Sequence, residues 1–164
     1  MLIVNAKIIN EGHEVEGDVL IRNGRIEKIG KHLTAPAGCV TFDAAGRWLL
    51  PGIIDDQVHF REPGLTHKGD IATESAAAVA GGVTSYFDMP NNISKITTRA
   101  LLAEDYAQNA GRSFANYALY YVGGNDNLKE VARLQRNYAG GIRGCRGEST
   151  GNMLACNPKT LEGL

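Results

Sequence analysis

The sequence is poor in the features that mark several classes of protein. It has three cysteines in 164 residues, and none stands in a C-x-x-C spacing, so neither a zinc knuckle nor a redox pair is indicated. No apolar run approaches the roughly 20 residues that a membrane-spanning helix needs. The formal net charge is −1. This gives no electrostatic reason to expect nucleic acid or an anionic membrane as a partner.

The N-terminus also lacks a targeting signal. Residues 1–7 have neither the basic start nor the long apolar region of a signal peptide, so a cytoplasmic location is expected. The composition is 43% hydrophobic and 21% charged, which is typical of a globular protein with a sizeable core. We expect the three thiols to be incidental in a reducing compartment.

The first 50 residues predict a small β module. Short apolar runs at residues 2–4 and 7–9 are strand-like, and two further strands are expected at residues 40–42 and 48–50. The clearest element is a hairpin over residues 18–30, in which Asn23-Gly24 separates two β-rich runs. Both central residues of a type I′ turn need positive φ, which Asn-Gly adopts at little cost.

After Pro51 the pattern changes to alternating strands and helices. Strands are predicted at residues 53–58, 83–89, 116–122 and 141–144, and helices at residues 70–80, 98–109 and 128–137. Strand starts recur about every 30 residues, which is the length of a βα unit. Residues 160–164 resemble the first turn of a fourth helix. We therefore predict an α/β fold, with residues 1–50 as a β module and residues 51–164 as the first four βα units of a (β/α)8 barrel. An open doubly wound sheet is the alternative.

The second predicted helix is amphipathic. Its residues Leu101, Leu102, Asp105, Tyr106 and Asn109 alternate between an apolar and a polar face at helical spacing.

Polar side chains are concentrated where the first barrel strand ends. His59 lies two residues after Gln57, so both side chains point to the same face and could together hold a metal ion. Arg61 projects to the same side, and its planar guanidinium suits a substrate carboxylate. Asn91, after the next strand, could donate its amide hydrogens to the same group. The alternatives are a structural histidine and a surface ion pair between Arg61 and Glu62.

Together these motifs resemble the N-terminal part of a class I dihydroorotase, a cyclic amidohydrolase of pyrimidine biosynthesis. The resemblance spans the whole chain, and hydantoinases lack the arginine of its most specific element, Arg61-Glu-Pro-Gly64. The matching segments are Pro51-Gly-Ile-Ile-Asp55, His59-Phe-Arg-Glu-Pro-Gly64, Thr66-His-Lys-Gly-Asp70, Gly81-Gly-Val-Thr84, Met89-Pro-Asn91 and Ser149-Thr-Gly-Asn-Met-Leu154.

The resemblance implies reversible hydrolysis of dihydroorotate to N-carbamoyl-aspartate, with one or two zinc ions activating water. It implies that His59 is a metal ligand, with Gln57 as a weak second one, and that Arg61 and Asn91 hold the substrate carboxylate. It implies a small-molecule substrate as the partner and leaves a homo-oligomer open.

Three departures from the family pattern limit this expectation. The usual His-x-His is Gln57-Val-His59, and the carbamylated lysine of the family corresponds to Arg143. Arginine stays protonated and cannot form a carbamate. The later histidines and the catalytic aspartate would lie beyond Leu164, so no catalytic residue is expected within this chain. We therefore expect an inactive N-terminal part of a dihydroorotase. The alternatives are a catalytically silent binding or assembly protein and a hydantoinase-type enzyme.

Overall fold

Residues 1–93, 95–135, 138–145 and 154–164 are described by the structure, a computed structural model. The chain divides into two compact units, Met1–Pro51 and Gly52–Leu164, and each has its own sheet. Residues 149–153 of the predicted Ser149–Leu154 motif lie outside the described residues.

The first unit is a mixed sheet of five strands. Strand β1 pairs antiparallel with β2, β2 pairs antiparallel with β3, and β4 and β5 both pair parallel with β1. The strands are β1 (Leu2–Asn10), β2 (His13–Arg22), β3 (Arg25–Gly30), β4 (Thr41–Asp43) and β5 (Trp48–Leu49). The two short runs predicted within residues 2–9 are therefore one strand. The strand is irregular between the two runs: its register shifts between Ile3 and Ala6, where Asn5 has a φ of 56°.

The hairpin between β2 and β3 forms as its turn residues predict. Asn23 and Gly24 have φ values of 51° and 71°, the positive values that a type I′ turn requires. A second hairpin joins β1 to β2 through Glu11 and Gly12, with φ values of 49° and 77°. Sequence reasoning missed this hairpin because Glu-Gly is not among the common type I′ pairs.

The second unit is a curled parallel half-barrel, which confirms the predicted fold class. Its strand order is β6-β7-β8-β9, so each strand pairs with its predecessor in the chain. A doubly wound sheet would instead reverse its strand order at a switch point. The elements in chain order are β6 (Ile53–Val58), α1 (Ile71–Ala80), β7 (Val83–Asp88), α2 (Arg99–Asn109), β8 (Asn116–Gly123), α3 (Leu128–Val131), β9 (Gly141–Gly144) and α4 (Pro158–Gly163).

Two helices begin at residues whose side chains cap the first turn. Asp70 accepts a hydrogen bond from the Thr73 N–H at 2.9 Å, and Thr98 accepts one from the Leu101 N–H at 3.2 Å. Each bond satisfies a backbone donor that the helix itself leaves unpaired. The helices pack on the sheet through two apolar clusters, whose buried members are Phe60, Ile71 and Tyr86 in one and Ile96, Leu102, Leu119, Tyr121 and Val131 in the other.

The helix predicted at residues 128–137 is much shorter than expected. Helix α3 ends at Val131, and residues 136–137 lie outside the described residues. The Ala132 N–H still bonds to the Leu128 carbonyl, but the N–H groups of Arg133 and Leu134 bond three residues back. The chain therefore leaves the α-helix through tighter turns that let Leu134 pack against the core.

The expected polar face of α2 is also wrong in part. Asp105 and Asn109 are buried, with 4% and 1% of their surface exposed. They follow Leu102 at spacings of three and seven residues, so all three residues lie on the face that turns toward the sheet.

All helices in the described part of the chain are short, and the longest, α2, has 11 residues. None of them is both long and apolar enough to cross a membrane.

The packing of α2 on the half-barrel predicts a large difference between two leucine truncations. Leu102→Ala should destabilise the protein by about 2–5 kcal/mol, because Leu102 is fully buried and truncation leaves a cavity. Leu161→Ala is the matched control, since Leu161 is 41% exposed, and it should cost well under half as much. Urea unfolding measures both values. Similar costs would contradict this packing.

Candidate functional site

The ends of three parallel strands build the candidate site. Val58 at the end of β6 pairs with Asp88 at the end of β7, and the Met89 N–H donates to the Val58 carbonyl at 2.9 Å. The Asp88 carboxyl also accepts a hydrogen bond from the Phe60 N–H at 3.1 Å. These bonds hold the segments after β6 and β7 side by side, which brings His59 and Asn91 together.

His59 is the half-buried centre of this group. Burial lowers the pKa of the imidazole, and the positive charges of Arg61 and Arg143 lower it further. Asn91 lies beside the ring and opposes the shift. His59 Nδ1 and Asn91 Oδ1 are both buried, and neither atom has a hydrogen-bond partner among the described residues. A neutral imidazole with a free ring nitrogen is therefore available for a ligand.

Gln57 is less well placed than the sequence pattern suggests. Its side chain is exposed, and its amide forms no hydrogen bond with any described residue. Its backbone N–H donates to the Asp55 carboxylate at 3.0 Å. His59 lies just beyond the end of β6, and the register of β6 shifts between Asp55 and Val58, so regular strand alternation does not carry over from Gln57 to His59.

Arg61 has a backbone conformation that is rare for a residue with a side chain. Its φ is 69°, in the left-handed region, which costs on the order of 1 kcal/mol or more. The Leu65 N–H closes the loop on the Arg61 carbonyl at 3.0 Å. Gly64 has a φ of 93°, and a Cβ there would lie only 2.6 Å from the Ile93 side chain. Glycine at position 64 thus lets the loop approach the segment after β7.

Glu62 holds this loop through an ion pair with Arg112 rather than with Arg61. The Glu62 carboxylate accepts two hydrogen bonds from Arg112, at 2.5 and 3.1 Å, and a third from the Ile71 N–H at 3.0 Å. Burial alone would raise the pKa of Glu62, but the hydrogen bonds from Arg112 and Ile71 lower it overall. The predicted alternative of a surface ion pair between Arg61 and Glu62 therefore does not form, and the Arg61 guanidinium is left for another group.

The side chains in this structure do not fit a zinc centre. Among the described residues, no three His, Cys, Asp or Glu side chains lie close enough to hold a metal ion. The Arg143 guanidinium donates to the Met89 sulfur at 2.7 Å, and its charge acts on His59. Zinc prefers nitrogen, thiolate and carboxylate ligands, whereas this group offers one imidazole, one exposed amide and two cations.

Sequence reasoning missed two buried acids behind the site. Burial raises the pKa of Asp88 to about 7, and the neighbouring Asp105 raises it as well. Burial raises the pKa of Asp105 to about 6, with further contributions from Glu62 and Glu104. Both carboxylate oxygens of Asp105 lack a partner among the described residues. The helical spacing of Asp105 from Leu102 could have predicted that Asp105 is buried.

Asp88 predicts a specific dependence of stability on pH. Its pKa in the folded protein is about 7, above the ordinary value of 3.8. The folded state therefore holds a proton that the unfolded state releases, and stability falls as pH rises from about 4 to 7. Asp88→Asn should flatten this fall, whereas Asn at the exposed Asp126 should leave it unchanged. Urea unfolding at several pH values measures the slope. An unchanged slope in Asp88→Asn would show that Asp88 is ionised throughout.

Arg61 predicts an inverted order of stability for two substitutions. Arg61→Gly should be more stable than Arg61→Ala by about 0.5–1 kcal/mol, because only glycine adopts a φ of 69° without strain. Arg133 has no such positive φ, so there the alanine variant should be the more stable one. Chemical denaturation of the four variants tests the difference. If the alanine variant is the more stable one at both positions, the backbone of Arg61 is unstrained.

Curated relatives support the resemblance that the motifs indicate, although no protein-family model matches the chain. The chain is 34% identical to a dihydroorotase of Geobacter sp. (strain M21) over 169 aligned positions, which cover 98% of this chain and 38% of that protein. It is 35% identical to a dihydroorotase of Methanosarcina acetivorans, over 98% of this chain and 34% of the relative. A dihydroorotase of Pelobacter propionicus is 48% identical over 62% of this chain and 24% of its own length. The chain thus spans between about a quarter and two fifths of the curated relatives it matches.

Solved structures give the same superfamily. An L-hydantoinase (dihydropyrimidinase) from Arthrobacter aurescens superposes with a TM-score of 0.91 at 26% identity, over 99% of this chain and 36% of that one. A D-hydantoinase from Bacillus sp. AR9 superposes with a TM-score of 0.78 at 25% identity, over 98% of this chain and 35% of that one. Both are cyclic amidohydrolases, and the curated sequence relatives are dihydroorotases. The chain is therefore similar in sequence to the N-terminal portion of dihydroorotases and has the fold of the amidohydrolase superfamily.

Proposed function

We propose that the complete protein acts on a cyclic amide that carries a carboxylate, and that this substrate is dihydroorotate. The reaction would be its reversible hydrolysis to N-carbamoyl-aspartate, a step of pyrimidine biosynthesis. Support comes from the dihydroorotase relatives and from Arg61, which lies at the strand ends with no carboxylate bonded to it among the described residues. Because this chain covers only part of those relatives, the activity is proposed for the whole protein.

Arg61 and Asn91 would hold the carboxylate of the substrate. The strained backbone of Arg61 supports this role, since such conformations persist where the surrounding structure enforces them and are common at ligand sites. Both side chains are half-buried and lie next to His59. The guanidinium can form two parallel hydrogen bonds to a carboxylate, and the Asn91 amide can add a third.

The proposed metal ligands have weaker support. The family implies one or two zinc ions, with His59 as a ligand and Gln57 as a poor second one. His59 has the right chemistry, because its ring is neutral and one nitrogen is free of described partners. The exposed Gln57 and the cationic Arg143 do not fit this role, so we assign no catalytic step to a metal. Both ligand assignments stay predictions, as does a cytoplasmic location.

The same residues lead us to propose that the 164-residue chain has no hydrolase activity of its own. A lowered imidazole pKa and a carboxylate clamp can bind and orient a substrate. They do not by themselves activate water, because two cations and an amide act on His59, and the Asp88 carboxyl at the end of β7 is only 2% exposed and accepts a hydrogen bond from the Phe60 N–H. Substrate binding without turnover is therefore the expected behaviour.

Two other functions have specific support. A hydantoinase-type activity is favoured by the solved structures that resemble the chain, but Arg61 opposes it because hydantoins need no carboxylate clamp. A catalytically silent binding or assembly protein is favoured by Gln57 and Arg143, which replace a metal ligand with a weak ligand and a cation.

Calorimetric titration separates these functions. The 164-residue chain should bind dihydroorotate, and Arg61→Ala should weaken binding by about tenfold or more, because charge-assisted hydrogen bonds of ~1.5–3 kcal/mol are lost. Hydantoin, which has no carboxylate, should bind more weakly and be insensitive to Arg61→Ala. Arg133→Ala is the matched control, since Arg133 is 76% exposed on α3's C-terminal side.

A parallel assay for N-carbamoyl-aspartate should detect no turnover by the chain. Turnover that depends on Arg61 would contradict its proposed inactivity. Tighter binding of hydantoin than of dihydroorotate would instead favour the hydantoinase function. Binding without turnover by the complete protein would favour the silent one.

A further inference from the structure

The charges of two guanidinium groups, not one, act at the strand ends. Arg61 comes from the loop after β6 and Arg143 from β9, and the charges of both act on His59. Only Arg61 has a part in the proposed substrate clamp. Arg143 stands where the family resemblance places a lysine, and it adds a second cation to the strand ends.

The hydrogen bonds of Arg143 are largely unused. One guanidinium nitrogen donates to the Met89 sulfur at 2.7 Å, and this is its only hydrogen bond with the described residues. A thioether is a weak acceptor, whereas a guanidinium carries five N–H donors. Arg143 is half-buried, so part of the water that would otherwise satisfy these donors is excluded.

The position of Arg143 is fixed by the sheet. Arg143 pairs with Val122 in the parallel register of β8 and β9, and Met89 follows directly after β7. Its contact with Met89 therefore joins the ends of β9 and β7, the two neighbours of β8 in the sheet. This is a position set by three strands rather than by a single exposed side chain.

Arg61 likewise forms no ion pair with a described acid. Glu62 is bonded to Arg112, and the Asp88 carboxyl is only 2% exposed and accepts from the Phe60 N–H. Two cations without a carboxylate partner in the described part of the chain make the strand ends a site for an anion with two charged groups. A divalent metal at the same place would be repelled by both.

We propose that Arg61 and Arg143 together bind an open-chain dicarboxylate, one carboxylate to each guanidinium, in preference to a cyclic monocarboxylate. The inference rests on the proposed function, because hydrolysis of a cyclic amide that carries one carboxylate yields a second carboxylate. The site would thus favour the ring-opened ureido acid, whose new carboxylate would bind the Arg143 guanidinium. The Asn91 amide would share the carboxylate held by Arg61.

The test compares two probes on one protein. N-Carbamoyl-aspartate is the dicarboxylate and dihydroorotate is the monocarboxylate, each titrated calorimetrically into the 164-residue chain. The unmodified chain should bind the dicarboxylate about tenfold or more tightly than the monocarboxylate, the difference made by one further charge-assisted contact. Arg143→Met keeps an unbranched apolar stem and removes the charge, and it should abolish the preference without weakening dihydroorotate binding.

Two further variants separate charge from folding. Arg143→Lys keeps the cation and should retain most of the preference, even if Arg143→Met folds poorly. Arg133→Met removes an exposed arginine away from the site and should leave both affinities unchanged. Far-ultraviolet circular dichroism and thermal melting identify any variant that is unfolded.

The outcomes distinguish this inference from the function beneath it. Equal affinities for the two probes, or a preference that survives Arg143→Met, would overturn the dicarboxylate site alone. Dihydroorotate binding that is insensitive to Arg61→Ala would overturn the proposed clamp. A chain that binds neither probe would overturn both.

Discussion

Parallel pairing between β6 and β7 sets the positions of His59 and Asn91 in the candidate site. The pairing of Val58 with Asp88 and the bond from the Phe60 N–H to the Asp88 carboxyl hold the two strand ends together. His59 and Asn91 meet because each follows directly after one of these ends. The loop from Arg61 to Gly64 is then fixed against Ile93, which gives Arg61 its strained backbone. Without this pairing, the same residues would be unrelated polar groups on separate loops.

This arrangement has a cost in stability. The Asp88 carboxyl is 2% exposed, so it either stays protonated or is ionised with little water around it. Its pKa, raised to about 7, reflects the free-energy cost of the ionised form. Arg61 adds backbone strain, and two cations lie close to one imidazole. Proteins tolerate such features where they serve binding, and here they are concentrated at one end of one sheet. The rest of the half-barrel packs in the ordinary way, through apolar clusters between helices and strands.

Much of the half-barrel could be predicted from the sequence, because its strands are short apolar runs at regular spacing and two of its helices have clear caps. The residues at the strand ends could also be predicted, since they come directly after each apolar run. The length of α3 could not be predicted, because its end depends on how Leu134 packs against the core. The burial of Asp105 and Asn109 was missed because residue polarity was given more weight than helical spacing.

The candidate site was predictable only at the level of proximity. The sequence predicts that four polar residues lie at converging strand ends, namely Gln57, His59, Arg61 and Asn91. It does not show that Glu62 bonds to Arg112 and is therefore not an ion-pair partner of Arg61. Nor does it show that Arg143 contacts Met89 and acts on His59. These contacts join residues that are distant in the chain, so only the folded structure reveals that the site is cationic.

We propose that the strand ends bind a carboxylate through Arg61 and Asn91, whereas Gln57 and Arg143 leave them without a zinc site. Zinc retention after equilibrium dialysis tests it most directly, in the unmodified chain and in a Gln57→His/Arg143→Lys double variant. We expect well under one zinc ion to be retained per unmodified chain. The double variant should retain clearly more zinc, because it regains an imidazole and loses the arginine. Stoichiometric zinc in the unmodified chain, with no increase in the double variant, would contradict it.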